Sequence, residues 1–248
     1  MRNWTMAALP LALAMTVTAC SAEVTSDGKG GKRTVEAGPT KSQGFDLTGF
    51  TAVEVTGPDD VMIERGENFS IVARGPQAVI DELEIELDGD MLSIGRKESM
   101  LRFKGDEAVK VTVVMPTLRA VRLTGSGAID ADAVEGDAVE AVVTGSGDMK
   151  VAALNATRAK LTITGSGDIA VGGGTIDAGN YDVTGSGSIA ADDLAAKTLD
   201  VSIAGSGDVD AQASDSADIS ILGSGDATIG GGAKCSTRSL GSGDAICK

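Results

Sequence analysis

Apolar and polar residues alternate in a repeating arrangement through the second half of the chain. Gly-Ser-Gly occurs seven times there, with apolar residues four and two positions before the first six copies and four and six positions after all seven. Alternation with a period of two is typical of β-strands that bury one face. Each unit is therefore predicted to be a strand, a Gly-Ser-Gly corner, a second strand and a return rich in glycine or alanine. The corners begin at Gly125, Gly145, Gly165, Gly185, Gly205, Gly223 and Gly241.

The spacing of these corners predicts how the units are arranged. Steps of 20, 20, 20, 20, 18 and 18 residues are the period of a stack of like units, none of which can bury its apolar side alone. We predict an all-β fold, a parallel β-solenoid whose coils of about 18–20 residues lie about 4.8 Å apart. Glycine flanks the corner serine because a sharp bend needs a positive φ or a close approach of stacked backbones. The stacked serines are expected to hydrogen-bond along the axis.

The first half of the chain has strand character but no visible period. Alternation and turn residues predict strands at Ala52–Thr56, Val61–Glu64, Phe69–Ala73, Leu83–Leu87, Met91–Ile94 and Val109–Val114. One short helix is predicted within Pro76–Leu83, with proline in its first turn. Order is expected to begin near Phe45. The solenoid domain is thus predicted to span 44–248, with the repeats at 120–248.

The first 43 residues are predicted to be an export signal and a tether. Arg2 precedes an apolar run from Met6 to Val17 that is too short to span a bilayer. The run ends in Val17-Thr18-Ala19-Cys20, which resembles a bacterial lipobox, so residues 1–19 are predicted to be a lipoprotein signal peptide and Cys20 to be lipidated. An ordinary signal peptide with an incidental Cys20 is the alternative. Residues 20–43 contain few apolar residues and are expected to be a flexible tether, and Ser21 favours sorting to the outer membrane.

Composition excludes several classes of function. The 248 residues carry a formal net charge of −15, which argues against nucleic acid because phosphate binding needs clustered Lys and Arg. The chain has no histidine, the commonest general base and metal ligand, and only 2% aromatic residues for stacking on sugars. We therefore expect no enzyme activity and no cofactor.

An aspartate follows most of the corners. Five such residues would form a ladder along the stack: Asp148, Asp168, Asp208, Asp226 and Asp244, interrupted by Ala128 and Ser188. Aspartate in turns commonly accepts backbone N–H bonds. The alternative is a calcium ladder like that of calcium-binding β-rolls, although the period differs and each coil supplies one carboxylate.

Cys235 and Cys247 remain as a pair after lipidation of Cys20. An exported chain meets an oxidising environment, so a disulfide is predicted that would fasten the last coil. Two buried thiols are the alternative. Zinc is disfavoured because two thiols without histidine do not complete its ligand set.

The order of segments resembles one bacterial family. The carrying residues are Phe45 to Phe50, Val61 to Gly66, Leu83 to Ile94, Val113 to Pro116 and the Gly-Ser-Gly-Asp coils. They are similar to the family described as putative auto-transporter adhesin, head GIN domain. The resemblance implies a right-handed single-stranded β-helix on an exported or lipid-anchored envelope protein, and it brings no binding residues with it.

Together these observations predict a non-enzymatic outer-membrane lipoprotein. Its β-solenoid is expected to present an interaction or scaffold surface to an envelope protein or a polysaccharide, and the lipid on Cys20 is expected to anchor the protein to the membrane. The alternative is a calcium-dependent binding module that uses the Asp ladder. Self-association is open, because a parallel stack leaves an unpaired edge unless something covers it.

Overall fold

The computed structural model describes residues 33–35, 39–97, 101–103 and 108–248. It is nearly all β-structure, arranged as a β-solenoid, which confirms the fold class. The predicted signal peptide, the lipidated Cys20 and most of the predicted tether lie outside the described residues. No helix in the described ranges is both long and apolar enough to span a bilayer.

The segments before the repeats form nine strands and one short helix. All six predicted strands are present, and the helix is a single turn within the predicted range. The bounds are β1 Arg33–Val35, β2 Thr40–Phe45, β3 Ala52–Gly57, β4 Asp60–Arg65, β5 Ser70–Pro76, α1 Gln77–Ile80, β6 Leu83–Asp88, β7 Met91–Arg96, β8 Leu101–Phe103 and β9 Lys110–Met115.

The repeats form ten further strands, several of which run through more than one side of a coil. The bounds are β10 Ala120–Gly125, β11 Ala128–Gly145, β12 Asp148–Gly165, β13 Ile169–Val171, β14 Gly174–Gly185, β15 Ile189–Gly205, β16 Val209–Gly223, β17 Ala227–Gly230, β18 Lys234–Gly241 and β19 Ala245–Cys247. Neighbouring coils pair in parallel throughout.

The corners lie directly above one another along the solenoid. Gly125 pairs with Gly145, Gly145 with Gly165, and the series continues to Gly241. The register survives the change from 20-residue to 18-residue coils because the returning side shortens instead, with register shifts after Ala191 and after Ala196. The corner is thus the fixed part of every coil.

Alternate residues of each strand fill a narrow core. Positions four and two before the corner are buried in six successive coils, as are the positions four and six after it in the coils from Ile129 to Ile229. The aliphatic side chains are supplemented by few aromatic ones. Tyr181 is fully buried among them, as its place in the alternation predicts.

A further coil is present in the half of the chain that lacks a visible period. Strand β3 pairs with β10 so that Thr56 faces Thr124 and Gly57 faces Gly125, and β4 pairs with β11. Its corner is Gly57-Pro58-Asp59 rather than Gly-Ser-Gly. The expectation that this half is not periodic is therefore wrong for residues 52–65.

Antiparallel strands close the N-terminal end of the stack. Strand β7 extends the ladder beyond β3 and pairs antiparallel with β6, while β9 extends it beyond β4 and is followed by β5 and β2. Because β2 begins at Thr40, regular structure starts before the expected Phe45 and takes up the last residues of the predicted tether. A reversal of strand direction stops a parallel stack from accepting another coil of the same kind.

A disulfide joins Cys235 and Cys247 in the last coil, as predicted, with their Cα atoms 6.6 Å apart. The bond links β18 to β19 across two sides of that coil. Cys235 is half-buried and Cys247 is exposed, so the bond lies at the open end of the core rather than deep within it.

Candidate interaction face along the corners

The two glycines of each corner meet different demands of the stack. The first has a positive φ, as at Gly145 (120°) and Gly165 (130°), which side chains other than glycine rarely adopt. The third has an ordinary φ, but a Cβ atom added at Gly167 would overlap the carbonyl oxygen of Gly147. A Cβ atom added at Gly165 would likewise overlap the carbonyl oxygen of Gly145, so the first glycine meets both demands and the third meets only the close approach.

Backbone hydrogen bonds hold the corners together. The carbonyl oxygen of Gly145 accepts from the N–H of Ser166 at 2.8 Å and from the N–H of Gly167 at 3.1 Å, and the Ser N–H bond recurs at every corner from Ser126 to Ser242. The serine hydroxyls are exposed and make no hydrogen bond within the described ranges. The expected hydrogen bonding between stacked serines is wrong, because the backbone supplies the axial ladder and leaves the hydroxyls to solvent.

The aspartates after the corners act as backbone acceptors. The Oδ1 atom of Asp168 accepts from the N–H of Ser188 at 2.7 Å, and the same bond joins Asp148 to Asp168, Asp208 to Asp226 and Asp226 to Asp244 at 2.8–3.3 Å. Four of the five carboxylates, all except Asp244 in the last coil, thus fasten their corner to the next coil. The described residues contain no group of three or more carboxylate or thiol side chains suited to a metal ion, so no observation favours the calcium alternative.

Exposed threonines form a third column immediately before the corners. Thr124, Thr144, Thr164 and Thr184 pair in register and are all exposed. The column ends in Ala204, Leu222 and Leu240. We call the surface formed by the columns of Thr, Ser and Asp the corner face. The serine recurs at every Gly-Ser-Gly corner, the threonine at the four corners from 124 to 184, and the aspartate at five of the seven corners, so the face is a long polar ribbon.

Two open clefts interrupt the sides of the solenoid. One, of about 240 Å³, lies where Ala128 interrupts the Asp column, and Asp60, Lys110, Asp148 and Lys150 contribute to its lining. The other, of about 370 Å³, lies where the returning side shortens, and it is lined by small residues and the Lys197–Asp177 ion pair of 2.7 Å. Hydrogen bonding to Asp177 raises the pKa of Lys197. Both clefts thus contain charges of opposite sign.

Asp59 is a buried charged residue that lies in the turn between β3 and β4. It is 1% exposed and binds Arg96 through two hydrogen bonds, from Nε at 2.7 Å and from Nη2 at 2.5 Å. It also accepts the N–H of Val109 at 2.8 Å. The Asp59–Arg96 pair lies at the N-terminal end of the corner column. The sequence signal that could have revealed this corner is the Thr56-Gly57 step, which aligns with Thr124-Gly125.

Of the predicted site residues, the structure joins Cys235 to Cys247 and places the five aspartates in one column. Cys20 lies outside the described residues. The cysteine pair is at the end of the stack, while the aspartates run along its length. The structure therefore does not gather the predicted residues into a single pocket.

Comparison with known proteins is consistent with this architecture. The family model described as "Putative auto-transporter adhesin, head GIN domain" matches residues 49–233, which includes the additional coil at 52–65. None of the curated proteins matches the chain.

Several solved structures share the fold over most of their length. A putative adhesin from Bacteroides fragilis is 18% identical with a TM-score of 0.73, over 85% of this chain and 99% of that one. A putative adhesin from Parabacteroides merdae is 21% identical with a TM-score of 0.70, over 87% and 99%. A protein from Parabacteroides distasonis, described as a putative lipid binding protein, is 20% identical with a TM-score of 0.68, over 87% and 99%. At these identities the likeness is one of fold.

Proposed function

Because the chain belongs to the family described as putative auto-transporter adhesin, head GIN domain, we propose that it is a non-enzymatic, lipid-anchored protein of the bacterial cell envelope whose corner face binds an envelope protein or polysaccharide. The observation that carries the proposal is the in-register repetition of exposed hydroxyl and carboxylate groups along that face. A periodic partner gains contacts in proportion to the number of coils it covers.

The chemistry of the corner face suits binding rather than catalysis. Four of its five carboxylates are already hydrogen-bonded to backbone N–H groups, so the fold orients them. Its hydroxyls are exposed on rigid strands, where they can exchange hydrogen bonds with water for hydrogen bonds with a partner at little cost in conformational entropy. Acid groups on this face repel polyanions, which favours neutral or cationic partners over nucleic acid.

A binding experiment with matched variants tests the proposed face. Thr164→Lys with Thr184→Lys places two long cations in the threonine column, while Ser202→Lys with Ser220→Lys makes the same change at exposed positions outside the corner face. When each protein is immobilised on a resin, we expect the wild-type chain and the second variant to retain the same envelope component, and the first variant to lose it. Equal retention by all three would contradict the corner face as the binding surface.

The proposed anchor is tested separately at Cys20. Palmitate labelling and membrane fractionation of the wild-type chain are expected to show a labelled, membrane-bound protein, and Cys20→Ala should abolish both because the thioether bond cannot form. Ser21→Ala is the control, since it leaves the modified cysteine in place. Unchanged labelling and fractionation of Cys20→Ala would contradict lipid anchoring while leaving the corner face untouched.

A further inference from the structure

The two ends of the solenoid carry complementary charges on the edges of one sheet. The ladder runs without interruption from β6 through β7, β3 and β10 and then along the coils to β18. Within the described ranges, β6 pairs only with β7 and β18 only with β16. Each therefore presents one row of backbone N–H and C=O groups that none of the described strands covers, at opposite ends of the solenoid.

The outward side chains of β6 are acidic. Glu84, Glu86 and Asp88 alternate along the strand and are exposed. The outward positions of β18 include Lys234 and Arg238, which are exposed as well. This strand carries cations in the last coil of a protein whose formal net charge is −15. A positive edge at one end and a negative edge at the other attract when two copies meet head to tail and repel when like ends meet.

Exposed apolar residues are also confined to the ends. The large hydrophobic side chains that remain exposed in the described part of the chain are Leu87 on β6 (38%), Leu222 (57%), Leu240 (71%) and Ile246 (50%). The last three lie in the final two coils, and Leu222 pairs with Leu240 in the column occupied by threonine in earlier coils. Apolar exposure at two edges, with the polar corner face between them, indicates contact surfaces rather than random scatter.

The inward side of the last coil is adapted to an end of the stack. Thr237 and Ser239 occupy the positions that Ile219 and Ile221 occupy one coil earlier, so the core stops at polar side chains and at the disulfide. Lys and Arg on an edge strand normally discourage pairing with like edges. Here the other edge of the same sheet is acidic, so the same charges discourage tail-to-tail contact and favour tail-to-head contact.

We propose that copies of this protein associate head to tail, with β18 of one copy adding to β6 of the next as an antiparallel strand. The pairing continues the sheet across the junction and places Lys234 and Arg238 opposite Glu84, Glu86 and Asp88. The contact is heterologous, because two different surfaces meet, and repeated use of it builds a linear array. It is independent of the lipid anchor and of the partner of the corner face.

Charge reversal at each end tests the proposal. The head variant carries Glu84→Lys and Glu86→Lys, and the tail variant carries Lys234→Glu and Arg238→Glu. The full chain is extracted in mild detergent and its mass is followed by sedimentation equilibrium in density-matched detergent at low and high salt. The wild type is expected to associate with increasing concentration, and each variant alone to associate at least about tenfold more weakly, because opposite charges become like charges at the junction.

Mixing the two variants separates this arrangement from others. The cationic tail of the head variant meets the acidic head of the tail variant, and the remaining acidic tail and cationic head also match, so an equimolar mixture should recover association. Added salt should weaken it. A wild type that stays monomeric throughout, or variants that associate as well as the wild type, would overturn the proposal. Weakened variants whose mixture does not recover association would also overturn it, since complementary ends would then be present together without associating.

Two lysines that lie between the ends provide a control for net charge. Lys160→Glu with Lys150→Glu makes the same number of charge reversals on exposed positions between the ends. We expect this variant to associate like the wild type. If it loses association to the same extent as the end variants, net charge rather than the two edges governs contact, and the head-to-tail proposal fails.

Discussion

Each corner residue has a different physical task, although the three letters repeat unchanged. The first glycine supplies a positive φ and leaves room for a carbonyl oxygen of the previous coil, the serine supplies an N–H to that coil, and the glycine at the third position leaves room for a second carbonyl oxygen. At Gly57-Pro58-Asp59 the third position accepts a side chain, because the space toward the N-terminal end holds Arg96 rather than another corner. A search for Gly-Ser-Gly alone could not find that coil, since its corner packs against Arg96 instead of another corner.

Replacement of one corner glycine should show this difference in stability. Gly165→Ala forces alanine into a φ of 130° and against the carbonyl oxygen of Gly145, so we expect a loss of at least about 2 kcal/mol in the free energy of unfolding. Ser166→Ala keeps the backbone donor and should change it by less than about 0.5 kcal/mol. Urea unfolding measures both, and comparable losses for the two variants would contradict the assignment of tasks.

Tyr181 offers a spectroscopic test of the narrow core. Burial raises the pKa of its phenol well above the ordinary value, and the chain has no other tyrosine. The unfolded chain releases the phenolic proton near pH 10 while the folded chain retains it, so stability should fall as pH rises above about 10. Absorbance at the tyrosinate band should therefore stay flat until the protein unfolds. An ordinary titration near pH 10 in the folded protein would place Tyr181 outside the core.

Strands were more predictable from sequence than their partners. Alternation located β3, β4, β6, β7 and β9 to within two residues because each buries one face against the stack. The Asp88-Gly89 turn between Leu87 and Met91 predicts the hairpin of β6 and β7, which the antiparallel pairing confirms. Nothing local shows that β5 pairs antiparallel with β9 and β2, since these segments share no period. The disulfide was predictable from the place of its cysteines on either side of the last corner, whereas the polar end of the core around it follows only from the stacked register.

The last coil should depend on its disulfide more than the rest of the molecule does. A closed loop of this size contributes about 3 kcal/mol, and the coil has a neighbour on one side only. Cys235→Ser with Cys247→Ser is therefore expected to speed amide exchange in β18 and β19 about a hundredfold, with little change in β12. Hydrogen exchange read by mass spectrometry tests this. Uniform acceleration along the chain would contradict a local role for the bond.

At the scale of the whole molecule, the stacked register explains why one face is uniform and the ends are not. Interior coils share the Gly-Ser-Gly corner, and most of them also the flanking Thr or Asp, because each coil must fit two neighbours, while the terminal strands fit only one and vary in charge and exposure. The sequence period therefore predicted the stacked coils in the middle of the molecule and the candidate face. The positions of the charged edge strands at the two ends become clear only from the order of strands in the sheet. Membership of the family agrees with the predicted stack of coils and gives no information on the charged ends.

The most direct test of the central claim is a distance measurement along the file of corners. Spin labels at Ser126→Cys and Ser224→Cys, with Cys20→Ser and the native disulfide intact, are five coils apart and should lie about 24 Å from each other by electron spin resonance. Labels at Ser126→Cys and Ser206→Cys should be about 5 Å closer, one coil less. Narrow distributions with that difference are the predicted result. Broad distributions, or two distances that do not differ by one coil spacing, would contradict a solenoid of stacked corners.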